Sequence, residues 1–391
     1  MGSRLREVGG RAATGVAASD LAVMFMGSTL VTPLYILYQR AFGFSDTILT
    51  MIYAAYVVGN LGALFLLGRV SDQIGRRRTV LPAIALAGLA TVMFLFAKAT
   101  AWLFVGRALS GLAIGLASGA ATAWIAELID GKDKSLASTA ATAANYMGLA
   151  IGALLAGLLA QYAPAPLHLS YIVYLCLLAA LAWFVARAQE TVSRPRALGE
   201  ASLRPRIGVP RAIRGRFVSP AATAFAIFAL GGFYAALAPT LLRRDLHQTN
   251  LALGGAVVFE LFTAAAAAVY ATQALKSRTA MLTGVALLIP SVALIVAAQS
   301  LLSLPLLLAG TALSGISSAL GYRGSLQVIN EIAPAEKRAE VISSYQMACF
   351  LGNALPVVGV GILSSAFGPM TATASLAVAV AALALVALIG I

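Results

Sequence analysis

Twelve separate runs of about 20 apolar residues fill this chain, and a fold that hides that much oil from water inside a soluble globule is not available. The runs lie near 17–38, 47–68, 79–97, 101–126, 136–160 and 169–186, then near 219–242, 251–274, 280–298, 304–329, 339–364 and 370–391. Each suits a helix crossing a bilayer, where every backbone polar group must be satisfied internally. The runs are continuous instead of alternating with period two, which argues against a β-barrel. Pro33, Pro82, Pro239, Pro290 and Pro356 fall inside them, a placement membrane helices tolerate. Composition agrees: 60% of the 391 residues are hydrophobic and 10% charged, against about 25% charged in soluble domains. Gly shows no period, and Cys176 and Cys349 both fall in spans, so collagenous, disordered and disulfide-stapled classes are excluded. The expected class is an all-α membrane protein with twelve transmembrane helices.

The formal charge of +13 raises the question of nucleic acid, which needs a solvated basic face. With the N-terminus placed in the cytoplasm, 21 of the 27 Lys and Arg fall in inner segments and 4 in outer loops. That asymmetry is a topology signal, with both termini cytoplasmic, and no nucleic-acid partner is expected. Residues 1–16 carry three Arg and no apolar core, so no cleavable signal peptide is expected. His168 and His247 lie far apart, and no metal site is expected.

The chain also repeats itself. At an offset of 204, GRALSGL (106–112) falls on GTALSGI (310–316), Glu127 on Glu331, Gly148 on Gly352 and Gly157 on Gly361. At 206, Pro33 falls on Pro239. An Arg- and Pro-rich stretch, 187–218, divides six spans from six, giving units 1–186 and 219–391 with a cytoplasmic linker between them. Two such units about a pseudo-two-fold axis make a central cavity that opens to either face by rocking.

Residues 68–78 read GRVSDQIGRRR. Gly68 and Gly75 permit a tight turn, Asp72 suits a helix N-terminus, and Arg76, followed by Arg77, can bridge to a carboxylate. This loop resembles the signature of the major facilitator superfamily, roughly G-x-x-x-D-[RK]-x-G-[RK]-[RK], with Gln73 in place of the usual cation. The likeness covers essentially the whole chain and implies the fold of that family: two pseudo-symmetric six-helix bundles working by alternating access. It also implies that Glu127, at the inner end of helix four, partners Arg76 in a latch that holds the halves closed on the cytoplasmic side. Glu331 is its repeat mate, although the second loop, TQALKSRTA (272–280), lacks the Asp and both Gly. The segment 106–115, with Arg107 followed four residues later by Gly111, resembles a second family signature. Gly148, Gly152 and Gly157 let helix five pack closely, but the G-P-x-x-G-G usual in the antiporter branch lacks its Pro here. Among the branches of that family, the chain resembles most the drug or metabolite:proton antiporters.

Charges at membrane depth are costly and mark function by default. Glu260 lies about ten residues into span eight, ~15 Å deep, and is the first candidate for carrying a proton. Arg107 lies within span four, about four residues in from its outer end, where it either acts with the proton site or snorkels to the interface. Asp20 is expected near the inner interface, with Arg323, similar in depth, as a candidate partner. Thr32, Tyr35, Tyr56, Asn60, Asn145, Phe233, Tyr234, Gln327, Tyr345, Gln346 and Asn353, together with Arg323, are candidates for lining the cavity. No phosphate-cradling G-x-x-x-x-G-K-[ST] occurs and no nucleophile–base pair lies at depth, so neither an enzyme nor a cofactor is expected and a proton gradient is the energy source. The reading is a monomeric inner-membrane secondary transporter, a proton-coupled exporter of drug-like or metabolite molecules. A proton-coupled importer of a small organic anion is the alternative, and a non-transporting receptor or scaffold the remote one.

Overall fold

A computed structural model describes residues 10–67, 70–129, 134–192 and 207–389. It is all helical. The helices are α1 (Gly10–Leu30), α2 (Tyr35–Phe42), α3 (Asp46–Leu67), a short α4 (Val70–Ile74), α5 (Arg76–Leu95), α6 (Thr100–Leu128), α7 (Lys134–Tyr162) and α8 (Pro166–Val185). After the long connection come α9 (Arg214–Arg244), α10 (Leu251–Ala271), α11 (Ser277–Ser300), α12 (Leu304–Ile332), α13 (Arg338–Phe367) and α14 (Pro369–Ile389). Counting α1 and α2 as one, 12 spans among the described residues are long and apolar enough to cross a membrane.

Several helices outrun their apolar cores. α6, α7 and α12 each have 29 residues, about 43 Å of helix against a hydrocarbon core of about 30 Å. Their ends carry polar residues that stay helical beyond the oil. Span one is instead interrupted. Pro33 has no N–H to give, and the chain between α1 and α2 closes tighter turns, Thr32 N to Thr29 O and Leu34 N to Val31 O, both at 3.0 Å. Its repeat mate Pro239 stays inside the continuous helix α9.

Helix packing follows the repeat in detail. A Cβ added to Gly111 on α6 would land on the carbonyl oxygen of Tyr56 on α3; one added to Gly315 on α12 would land on that of Leu261 on α10. Gly148 meets Ala22 in the same way, and Gly352 meets Phe225. Only a residue without a side chain lets two backbones approach this closely. The first six spans meet the second six mainly along two pairs, α7 on α10 and α3 on α13. These seams are also related by the repeat: Gly157 lies on Gly255 in one, and Gly361 on Thr50 and Asp46 in the other.

Overpacking such a contact costs about 1–3 kcal/mol. Gly111→Ala should therefore lower the thermal unfolding midpoint of the purified protein. Gly62→Ala, on α3 with open space around it, should leave the midpoint unchanged or raise it slightly.

Candidate functional site

Three clusters of polar side chains interrupt the apolar interior. The first builds the end of the molecule that carries the signature loop. Gly75, with φ of 111°, turns the chain from α4 into α5, and the first two N–H groups of α5, from Arg76 and Arg77, donate to the Glu190 carboxylate at 2.9 and 3.1 Å. An anion at a helix N-terminus satisfies donors that the helix cannot. Arg76 is 6% exposed; its Nε and Nη2 grip Glu127 at 3.2 and 2.6 Å, and its Nη1 donates to Asp72 at 2.5 Å and Ser71 at 2.9 Å. Thr191 also donates to Glu127, and Arg77 reaches the carbonyls of Ala186 and Ala188. Each of these partners belongs to the first six spans or to the chain just after α8, so the node fastens α4, α5 and α6 to one another within one set. Holding the halves together at this end, as expected of Asp72 and Arg76, is not the work these bonds do in this conformation. Gly68 lies outside the described residues. The second copy of the node is simpler: Glu331 accepts from Ser277, the first residue of α11, at 2.7 Å.

The second cluster closes the opposite end and does join the two sets. Asp46 begins α3 and is 3% exposed. It accepts from Arg244 on α9 at 2.5 Å, from Ser364 on α13 at 3.0 Å and from Gln39 on α2 at 3.1 Å. Beside it, Thr47 donates to Gly361 O at 3.1 Å and pairs with Ser365 at 2.9 Å. Asp245, just past α9, accepts from Gln299 at 2.7 Å; burial pushes its carboxyl above the usual range while that hydrogen bond pulls it back. None of Asp46, Arg244 or Ser364 stood out in the sequence, because each reads as an ordinary span-end residue.

The third cluster lies at membrane depth. Arg107 is completely buried and does not snorkel. Its Nη1 donates to Ser28 O at 2.9 Å, and its guanidinium lies 5.6, 5.3 and 5.0 Å from the ring centroids of Tyr35, Tyr53 and Tyr56. The repeat equivalents of Arg107 and Ser28 are Thr311 and Tyr234, which hydrogen-bond to each other at 3.1 Å. One joint of the fold thus holds a cation in one copy and two hydroxyls in the other. Asp20 is also completely buried, not interfacial as expected, and neither carboxylate oxygen has a partner. Tyr174 of α8 lies near it, and its hydroxyl donates to Val23 O at 3.1 Å. The expected pairing with Arg323 does not occur. Arg323, half-buried within α12, donates instead to Leu275 O, just past α10, at 2.9 Å and keeps an enclosed, unpartnered Nε; equal depth leaves the direction around the helix open. Glu260 is half-buried on α10, with Oε2 enclosed and unpartnered, within electrostatic range of Tyr234.

The remaining expected lining residues divide. Thr32 donates across the sets to Ala235 O at 2.8 Å, and Asn353 on α13 accepts from Tyr53 at 2.5 Å. Asn145 is half-buried next to Tyr146, whose ring stacks on Phe262 of α10. Tyr35 and Tyr56 wall the Arg107 cage. By contrast, Asn60 is wedged against Gly115 of α6, and Tyr345 is tied to Ser325 at 2.7 Å inside the second set. Phe233 is buried edge-on to Tyr234, Gln346 sits at the Tyr322 hydroxyl, and Gln327 is exposed. Besides Asp46, Arg244 and Ser364, sequence reasoning passed over Tyr53, one turn before Tyr56, and Glu190. A Tyr in an apolar helix carries no mark of its direction, and Glu190 looked like the start of a spacer.

Known proteins share this architecture. A bacterial homolog of the human lysosomal transporter Spinster, solved in an inward-facing, occupied conformation, superposes with a TM-score of 0.72 at 16% identity, covering 96% of each chain. In sequence, the chain is 34% identical over 148 residues to puromycin resistance protein pur8 of Streptomyces alboniger, covering 38% of this chain and 29% of that one. It is 26% identical over 145 residues to the bacillibactin exporter of Bacillus subtilis (strain 168), covering 34% and 36%. The chain thus spans about a third of the length of these relatives. The model of the Major Facilitator Superfamily matches residues 21–354. With twelve spans, this fold and a match over most of its length, the chain belongs to the Major Facilitator Superfamily, a multi-pass membrane family of secondary transporters and not of enzymes.

Proposed function

We propose that this transporter exports drug-like or metabolite molecules from the cell by alternating access, in exchange for protons, with the Arg76 node at the cytoplasmic end of an inner-membrane protein. The observation that carries the reading is the set of ionisable groups at depth without ion partners: Asp20, Arg107 and Glu260. Groups so placed are retained for binding or proton transfer, because unpaired charge in hydrocarbon destabilises the fold. Glu260 and Asp20 take up and release the proton, and Arg107 faces the substrate. The relatives named for puromycin resistance and bacillibactin export support outward movement. The inside-positive distribution of Lys and Arg supports the orientation. In that orientation, Asp46, Arg244, Ser364, Thr47 and Ser365 form the outer gate in its closed state.

Reconstitution into proteoliposomes tests coupling. With puromycin as the probe, an imposed pH gradient should drive accumulation by the unaltered protein, and Glu260→Gln and Asp20→Asn should each reduce it to background while leaving exchange down a puromycin gradient. Unchanged gradient-driven flux in both variants removes these carboxylates from coupling, and the sign of the effective gradient separates export from import.

The gate gives a second prediction. In a protein with Cys176 and Cys349 replaced, Thr47→Cys with Ser365→Cys should form a disulfide on oxidation, since the native hydroxyls are 2.9 Å apart. Transport should stop when the bridge forms and return on reduction. Undiminished activity of the bridged protein would favour a receptor or scaffold that does not rock.

A further inference from the structure

We infer that Arg107 is the recognition point for a carboxylate on a flat, apolar substrate, a refinement that rests on the transporter reading above. The chain itself shows what a satisfied guanidinium looks like. Arg76 uses its Nε and Nη2, the edge that presents two parallel N–H groups, to hold both oxygens of Glu127. On Arg107 the same edge lacks an acceptor in hydrogen-bond geometry: Nε and Nη2 are enclosed, with the Tyr35 hydroxyl close by but not aligned to accept, and only Nη1 is engaged, on Ser28 O. Two buried, unmatched donors on a permanent cation are costly. The repeat shows that the fold does not require that cost, since Thr311 and Tyr234 fill the equivalent joint without charge.

Among the described residues no internal counter-ion pairs with Arg107. Asp20 lies eight residues before Ser28 on α1, about 12 Å along the axis. Glu127 is held by Arg76, and Asp46 by Arg244. What surrounds the fork is aromatic: the rings of Tyr35, Tyr53 and Tyr56 stand 5.0 to 5.6 Å from the guanidinium carbon. Aromatic faces favour the cation but do not accept from its two-pronged edge as a pair of oxygens does. Tyr35 adds an enclosed hydroxyl that also has no partner in hydrogen-bond geometry. A carboxylate on the fork, with a planar ring against the tyrosine faces, completes every unmet requirement of this site. Neutral drug-like molecules satisfy only its walls.

Access is built in. Tyr53 donates to Asn353 of α13 at 2.5 Å, so one wall of the cage is held by the opposite set of helices. When α3 and α13 separate, Tyr53 loses that acceptor while staying beside Arg107 in its own set, and its ring is released to turn away from the fork, which couples anion entry to the transport cycle.

The test compares 2-naphthoate with 2-naphthamide, which share a ring system and differ in the charged group. Binding to the purified transporter is read as a concentration-dependent rise in its thermal unfolding midpoint, with no gradient applied. The acid should bind about tenfold or more tightly than the amide. Arg107→Lys keeps the charge and loses the fork, and should reduce the ratio while leaving part of it, whereas Arg107→Gln, which removes the charge as well, should bring it close to one. Equal affinities in the unaltered protein, an undiminished acid preference in Arg107→Lys, or no stabilisation by either compound each overturn the proposal. The first and third outcomes require no variant, so misfolding of Arg107→Lys cannot shelter it. Proton-driven puromycin transport without acid preference defeats this inference alone; acid preference without proton-driven transport defeats the coupling reading alone.

Discussion

Charge without water is the constraint around which this molecule is arranged. Moving an ion into hydrocarbon costs several kcal/mol even after relaxation, unless a partner of good geometry is waiting. At the helix ends the partners are there: Glu127 and Asp72 for Arg76, Asp46 for Arg244, the α5 amides for Glu190. Within the spans, Asp20 and Arg107 are fully enclosed and lack an ion partner. The end clusters hold helices in place, and the unmatched groups are where a mobile ion or substrate completes the structure. Sorting charges by whether the fold already satisfies them separates architecture from chemistry.

The duplicated framework makes the same distinction. Backbone-on-backbone contacts recur in both copies, at Gly111 and Gly315 and again at Gly148 and Gly352, because a rigid rocking unit depends on close helix approach. Chemistry lies where the copies diverge. Arg107 stands against Thr311, the Arg76 fork against the Ser277 hydroxyl, and a broken helix at Pro33 against a continuous one at Pro239. The first six spans carry the fully buried charges, Asp20 and Arg107, and the interrupted helix. The second six answer with the half-buried Glu260, hydroxyls and aromatic rings.

The helical framework was legible because hydrophobicity along a membrane chain is a one-dimensional signal, and the spans emerge to within a few residues. Their ends extend further than the apolar runs because a helix already started continues through polar residues outside the oil, as at Arg214 and Ile332. The polar clusters were only half legible. Residue types and spacing mark Arg76 and Glu127, since both lie in or beside recognisable segments. Asp46 and Arg244 are 198 positions apart, and nothing local to either announces the other. Depth can be counted along a helix, but direction around it cannot, and that is why Asp20 and Arg323 looked matched and point to different places.

The connection between the two sets is pinned at both ends. Glu190 ties its beginning to the start of α5, and the Gly208 amide donates to Ser344 of α13 at 3.0 Å. Seventeen residues separate these two pins; fully drawn out, they would reach roughly 60 Å. That contour is the longest separation the covalent join permits between the two pins. The contacts that a rocking stroke has to break are those of the α7–α10 and α3–α13 seams and of the Asp46 clamp, which ties α2, α9 and α13 to the start of α3. Resistance to the stroke is thus spread along the helices, not concentrated in the chain that joins the two units.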